Sequence, residues 1–216
     1  MRRNVTHYVL LLAPAILCAP LALRAETIDR LAATVGIHVI AESEAIADVR
    51  ITAFIDNKPP VINGEAKKKS VDRLIDQYLV LQDAALARAP LPTAADLAPL
   101  VEPIRVRYAS AAEFTSALAR AGITEEDLRA HLLAGLQMMR YSDLRFRPEV
   151  QISDQDLRDY YGQLKSKLGP NPPDFDDARD QVEGLLTAER TLEAMDRWLG
   201  MTRHDTRVLY HEEAFR

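Results

Sequence analysis

The chain has 216 residues, 48% hydrophobic and 27% charged, with 27 Lys and Arg against 32 Asp and Glu for a net charge of −5. That balance argues against a nucleic-acid binder, whose affinity rests on neutralising phosphates with basic side chains. A single cysteine leaves no partner for a disulfide, and eight glycines are too few for a phosphate-cradling loop.

The first 25 residues read as a secretory signal. Arg2 and Arg3 form a positive start, Val9 to Ala22 is almost uninterrupted apolar chain, and the small Ala25 precedes the first acid, Glu26. The apolar stretch is short for a membrane span, so cleavage and a periplasmic destination are expected. An uncleaved inner-membrane anchor is the alternative. Cys18 follows Leu17, where lipoprotein processing wants a small residue. Cleavage removes Arg2, Arg3 and Arg24, so 27 basic residues become 24 against 32 acids, a net charge of −8 with no cysteine remaining. No later segment is apolar enough to cross a bilayer.

Beyond the signal, strand signals stand only at the two ends. Leu31 to Val35 and Val39 to Ile40 flank Gly36 and read as a hairpin or bent strand, and Thr206 to Tyr210 reads as a closing strand. Between them the apolar spacing predicts helices over 43–57, 67–88, 94–108, 111–121, 125–146, 154–167 and 175–201. Ile46, Val49, Ala53 and Phe54 share a face of the first, and Val71, Leu74, Ile75, Tyr78 and Ala85 share one of the second. Leu128, Leu132, Leu136 and Met139 line the fifth, and Phe175, Ala178, Val182, Leu185, Leu192, Met195 and Leu199 line the last.

Four helix starts pair a hydroxyl with an acid three positions on: Thr93 with Asp96, Ser110 with Glu113, Thr124 with Asp127, and Ser153 with Asp156. Ile123 with Leu128 and Ile152 with Leu157 add hydrophobic staples. The run Gly169-Pro170-Asn171-Pro172-Pro173 cannot be helical and predicts a rigid elbow, with a weaker break at Ala89-Pro90-Leu91-Pro92. The expected division is a signal at 1–25, a helical core at 26–168, the elbow at 169–173, and a final helix and strand at 174–216 completing the same core.

Catalytic patterns are missing. His38, His131, His204 and His211 keep no metal-ligand spacing with one another, and no metal or cofactor is implied. His131 reads as a surface or boundary residue. Glu125-Glu126 and Asp176-Asp177 stand in first helical turns, where the helix dipole accounts for them. The tract Lys67-Lys68-Lys69 reads as a solvated charge run, and no serine sits in a nucleophile elbow.

The order of these pieces resembles SurA-like periplasmic chaperones. IDRLAATVGIHVIAESEAIADV looks like that family's opening strands and first helix, and VDRLIDQYLVLQDA like its second helix. FTSALARAGITEEDLRAHLLAGLQMMRYSDLRFRPEVQISDQDLRDYYGQ is similar to its most recognisable block, with the Gly-Ile-Thr turn and a capped helix ending in Tyr160-Tyr161. FDDARDQVEGLLTAERTLEAMDRWLGMTRHDTRVLY looks like its last helix and closing strand. The resemblance spans roughly residues 27 to 211. It implies a mainly α, open multi-helix core with short N- and C-terminal strands that pair.

One departure limits what the resemblance carries. Full-length members place one or two parvulin-type prolyl isomerase domains between the Tyr-Tyr helix and the last helix, whereas here only residues 162–174 separate Tyr161 from Phe175. Even a small independent fold needs about 40 residues. No isomerase activity and no catalytic residue are therefore implied. What the resemblance does imply is a holdase for unfolded polypeptides, outer-membrane β-barrel proteins among them. Candidate peptide-contact residues are apolar positions beyond a single helix stripe: Phe54, Ile55, Met138, Met139, Tyr141 and Trp198. Two other readings stay open, ordinary core residues for each of the six and a helical adaptor of an envelope assembly for the whole chain.

Overall fold

The computed structural model describes residues 29–165 and 172–216; the signal-like segment and Gly169 to Asn171 of the elbow lie outside them. The chain is mainly helical with one small sheet. Strands β1 (Leu31–Val35) and β2 (His38–Ala41) form an antiparallel hairpin, with Gly36 at φ +60° supplying the left-handed turn. Strand β3 (Val208–Tyr210) pairs with the other side of β1, so the order is β2-β1-β3 and the two ends of the described chain meet in one sheet. Among the described residues no helix is long and apolar enough to cross a membrane.

The described residues also form seven α-helices: α1 (Glu42–Ile55), α2 (Gly64–Leu86), α3 (Ala98–Arg105), α4 (Ala111–Ala121), α5 (Glu125–Arg145), α6 (Asp154–Lys165) and α7 (Phe175–Asp205). The expected starts are made as hydrogen bonds. Ser110 and Thr124 side chains accept from the backbones of Glu113 and Asp127, and Asp96, Asp127 and Asp156 accept from the backbones of Thr93, Thr124 and Ser153. The helix expected over 94–108 divides into a 3₁₀ turn at Ala94–Leu97 and α3. Pro99 suits the first turn of α3, where no donor is needed, but Pro103 removes a donor farther in, and the helix stops at Arg105.

Among the described residues, burial falls into three apolar clusters. One joins the inner face of the sheet (Val35, Ile40) to α2 (Val71, Ile75, Val80), with Tyr141 and Leu199 closing it. A second gathers Ile51, Ile104, Phe114, Leu118, Ile123 and Leu128 from α1, α3, α4 and α5. The third holds α6 against the first half of α7 through Leu157, Ala178, Val182 and Leu186. Both expected staples fall within clusters, Ile123 and Leu128 in the second, Ile152 and Leu157 in the third.

Three expected stripes are rotated by about one residue, and a fourth, on α5, leaves Met139 outside while Tyr141 is buried. The buried side of α1 is Ala45, Asp48 and Ile51, while Ile46, Val49, Ala53 and Phe54 are only half-buried. On α2 the core takes Ala84 in place of Ala85, and on α7 it takes Leu186 while Leu185 and Leu192 face outward. A neighbour one residue round the helix decides the first three cases. The lysine tract divides too: Lys67 is 6% exposed and its Nζ lies 2.8 Å from Glu42 Oε1, whereas Lys68 and Lys69 are exposed. Lys67 is thus a buried ion-pair partner, not a solvated charge, because α1 brings Glu42 over the first turns of α2.

Helix α7 runs to Asp205, past its expected end, and Arg203 accounts for the extension. Its Nε donates to Asp76 Oδ1 at 2.6 Å and its Nη2 to the Asp72 carbonyl at 2.6 Å, fastening the last turn of α7 to α2. The Tyr210 hydroxyl donates to the same Asp72. Together they set β3 beside β1.

Candidate functional site

A groove crosses the face where α1, α2 and α5 pack. Its first section, about 210 Å³, is walled by His38 and Ile40 of β2 and by Leu74, Tyr78 and Leu81 of α2, with the His38 and Tyr78 rings stacked at 4.1 Å. Glu44, Leu74 and Gln77 are shared with a second section of about 240 Å³, which continues past Ala47, Asp48 and Ile51 to His131 and Asp127. Ala130 is shared in turn with a third of about 470 Å³, running along Leu97, Leu133, Arg129 and Glu126. A separate cleft of about 530 Å³, between Asp29–Leu31 and Tyr210–Ala214, is bounded by the first described residues.

Helical spacing explains the lining. Leu74, Gln77, Tyr78 and Leu81 recur at three- and four-residue steps on α2, and Glu126, Arg129, Ala130 and Leu133 on α5. Each helix therefore offers one aliphatic stripe bordered by polar side chains. Gln77 carries both a donor and acceptors where the first two sections meet, the complement of a peptide group.

Beneath the second section lies a polar knot. Asp48 is 4% exposed and takes hydrogen bonds from Ser70 and Arg73, and His131 Nδ1 stands 3.1 Å from its Oδ1. Burial raises the Asp48 pKa, but the bonds from His131, Arg73 and Ser70 outweigh that and hold it below the ordinary carboxylate value. An ionised carboxylate only accepts, so Nδ1 carries the proton of this contact and Nε2 is the remaining nitrogen of the ring. Ser70 also donates to the Ala45 carbonyl at 3.0 Å. The knot ties α1, α2 and α5 together at the floor of the groove.

Charge along the rim is uneven. Glu125 is held by both Arg105 and Arg129, each at 2.9 Å. Among the described residues Glu44, Glu126 and Asp127 have no ion-pair partner, although Glu44 and Asp127 accept backbone N–H groups at the starts of α1 and α5. No group of three or more His, Cys, Asp or Glu among the described residues is placed to hold a metal ion.

No family model matches the chain, and no curated protein matches it.

The six residues singled out from the sequence do not converge on one surface. Phe54 and Ile55 pack on the second cluster, where the Phe54 and Tyr108 rings stack at 6.0 Å. Met138 and Trp198 are half-buried against the first cluster, and Tyr141 is inside it at 3% exposure. The Tyr141 hydroxyl donates to Asp83 at 2.6 Å; burial, reinforced by Asp83, raises its pKa. Arg145 covers Trp198 at 5.3 Å and Phe146 at 5.4 Å while pairing with Asp83. Met139 alone is freely exposed, at 58%.

Leu74, Gln77, Ala130 and Leu133 carry no separate sequence signal, because each belongs to an ordinary helical stripe. Asp48 did carry a signal. It is a lone acid at three-residue spacing between Ala45 and Ile51, which on a helix marks a buried, partnered charge.

Proposed function

We propose that the protein is a holdase-type chaperone, exported to the periplasm, whose α1–α2–α5 groove holds extended segments of unfolded polypeptides. The observation that carries this reading is the adjacency of the three sections, the first two sharing Glu44, Leu74 and Gln77 and the last two Ala130, with aliphatic side chains on the floor and charged residues along the rim. Exposed apolar grooves rimmed with charge serve protein–protein contacts. The sequence resemblance to SurA-like chaperones supports the same reading and suggests outer-membrane β-barrel proteins as clients. Isomerase chemistry is no part of the proposal, because the segment between Tyr161 and Phe175 has no room for that domain.

Aggregation of a chemically unfolded β-barrel protein, followed by light scattering, tests it. The protein should slow scattering at substoichiometric to equimolar ratios, and Leu74→Glu with Ala130→Glu should remove most of that effect while the helical circular dichroism persists. Scattering unchanged across the range sinks the reading.

A second reading, an adaptor for one folded envelope partner, draws on the outer sheet face. Val39 and Leu209 flank Thr34 across the strands and are each 43% exposed, beside Ile37 at 98% on the hairpin turn. A rigid apolar patch of that kind suits a fixed partner. Capture from cell envelopes separates the two: one stoichiometric partner favours the adaptor, many unfolded clients the chaperone.

A further inference from the structure

We infer that the groove selects aliphatic segments flanked by Lys or Arg over neutral or acidic ones, an inference that rests on reading the groove as a polypeptide site. Glu44 stands where the first two sections join, Asp127 beside His131 in the second, and Glu126 along the third, so an acid borders every section. The basic groups at the groove are already paired within its walls, Arg105 and Arg129 sharing Glu125. Arg129 is bound to Glu125, and Arg73 to Asp48.

Helix ends reduce this field without cancelling it. The N-termini of α1 and α5 each bring about half a positive charge near Glu44 and near Glu126 and Asp127. Three carboxylates, set against two such ends and the one surplus positive charge of Arg105 and Arg129 around Glu125, leave about one negative charge along the rim. The floor meanwhile offers aliphatic surface from Leu74, Leu81, Ala130 and Leu133, with the His38 and Tyr78 rings at its first end. An occupant that satisfies both is an extended strand of Leu, Val or Ala with cationic side chains reaching the rim. Long Lys and Arg stems lie along apolar surface while their heads stay in water, which matches this cross-section.

The test uses fluorescent short peptides that share a Leu/Val/Ala centre and carry Lys, Gln or Glu at both ends. Anisotropy titrations of the purified protein should rank Lys above Gln above Glu, with roughly tenfold between Lys and Gln at low ionic strength. That gap should close at 1 M salt, where screening acts within about 3 Å. Glu44→Gln with Glu126→Gln keeps a glutamine at the third residue of α1 and should abolish the ranking while retaining the Gln-peptide affinity. Equal binding of all three peptides, or a ranking unchanged in that variant, overturns the charge selection and leaves the polypeptide site standing. Failure of every peptide to bind overturns both.

Discussion

His131 Nδ1 lies 3.1 Å from Asp48 Oδ1, joining the middle of α5 to the buried face of α1. Ser70 and Arg73 of α2 reach the other oxygen of that carboxylate, so one acid receives donors from two helices besides its own. A charge removed from water is retained only when its bonds replace those water made. Here the replacement is also what lines up the helices under the groove.

Removing that acid should therefore cost more than an average substitution. Asp48→Ala removes the acceptor of His131 and the charged partner of Arg73, while Arg73 keeps Thr52 Oγ1 and Ser70 keeps the Ala45 carbonyl. The expected loss is roughly 2 kcal/mol, moderated because Arg73 is partly in solvent. Urea unfolding at neutral pH reads it as a lower midpoint with an unchanged slope.

Acid should reproduce part of that loss. Because the folded Asp48 pKa is below its ordinary value of 3.8, the unfolded chain binds the proton first as pH falls. Its stabilisation is complete well above pH 3.8 and is lost as pH drops from there through the lower folded value. The stability difference between wild type and Asp48→Asn should shrink over that interval. A difference that stays constant from pH 5 to pH 2 would contradict the assignment.

Alkali should act at the other end of the molecule. Burial, and then the bond to Asp72, push the Tyr210 hydroxyl up from 10 to about 12. A raised pKa means the folded state keeps its proton longer, so the contribution is full below pH 10 and fades between pH 10 and about 12. Tyr210→Phe should cost about 1 kcal/mol at neutral pH, the worth of one hydrogen bond, and progressively less across that window. Paired thermal melts against pH check it.

Gly64 is required by contact. A Cβ there would sit 2.0 Å from the Phe215 carbonyl oxygen, which belongs to the C-terminal 3₁₀ turn Glu212–Phe215 lying against the start of α2. Gly64→Ala should displace that turn and destabilise by about 1–3 kcal/mol, an overpacking cost. In a chain ending at Tyr210 the same substitution should be close to neutral. Differential scanning calorimetry of the four proteins gives the coupling directly.

Local chemistry determined most of the architecture. Hydroxyl–acid pairs at Thr93, Ser110, Thr124 and Ser153 mark helix starts because the N–H groups they serve lie within one turn. Gly36 marks the hairpin because few other residues accept a positive φ at so little strain. Apolar periodicity then placed the seven helices, although prolines at 99 and 103 shortened one of them.

What the tertiary structure alone decided is which side of each helix is interior and which residues meet across the chain. Periodicity identifies a stripe, but a stripe can rotate by one residue when a partner such as Glu42 for Lys67, or Ser70 and Arg73 for Asp48, makes a polar side chain cheaper to bury than to leave in water. The groove belongs to this second kind of information. Its walls come from β2, α1, α2, the 3₁₀ turn at Ala94–Leu97 and α5, residues 38 to 133, and no spacing within one helix encodes where another will stop. Surfaces formed between elements follow from packing, and packing depends on contacts distant along the chain.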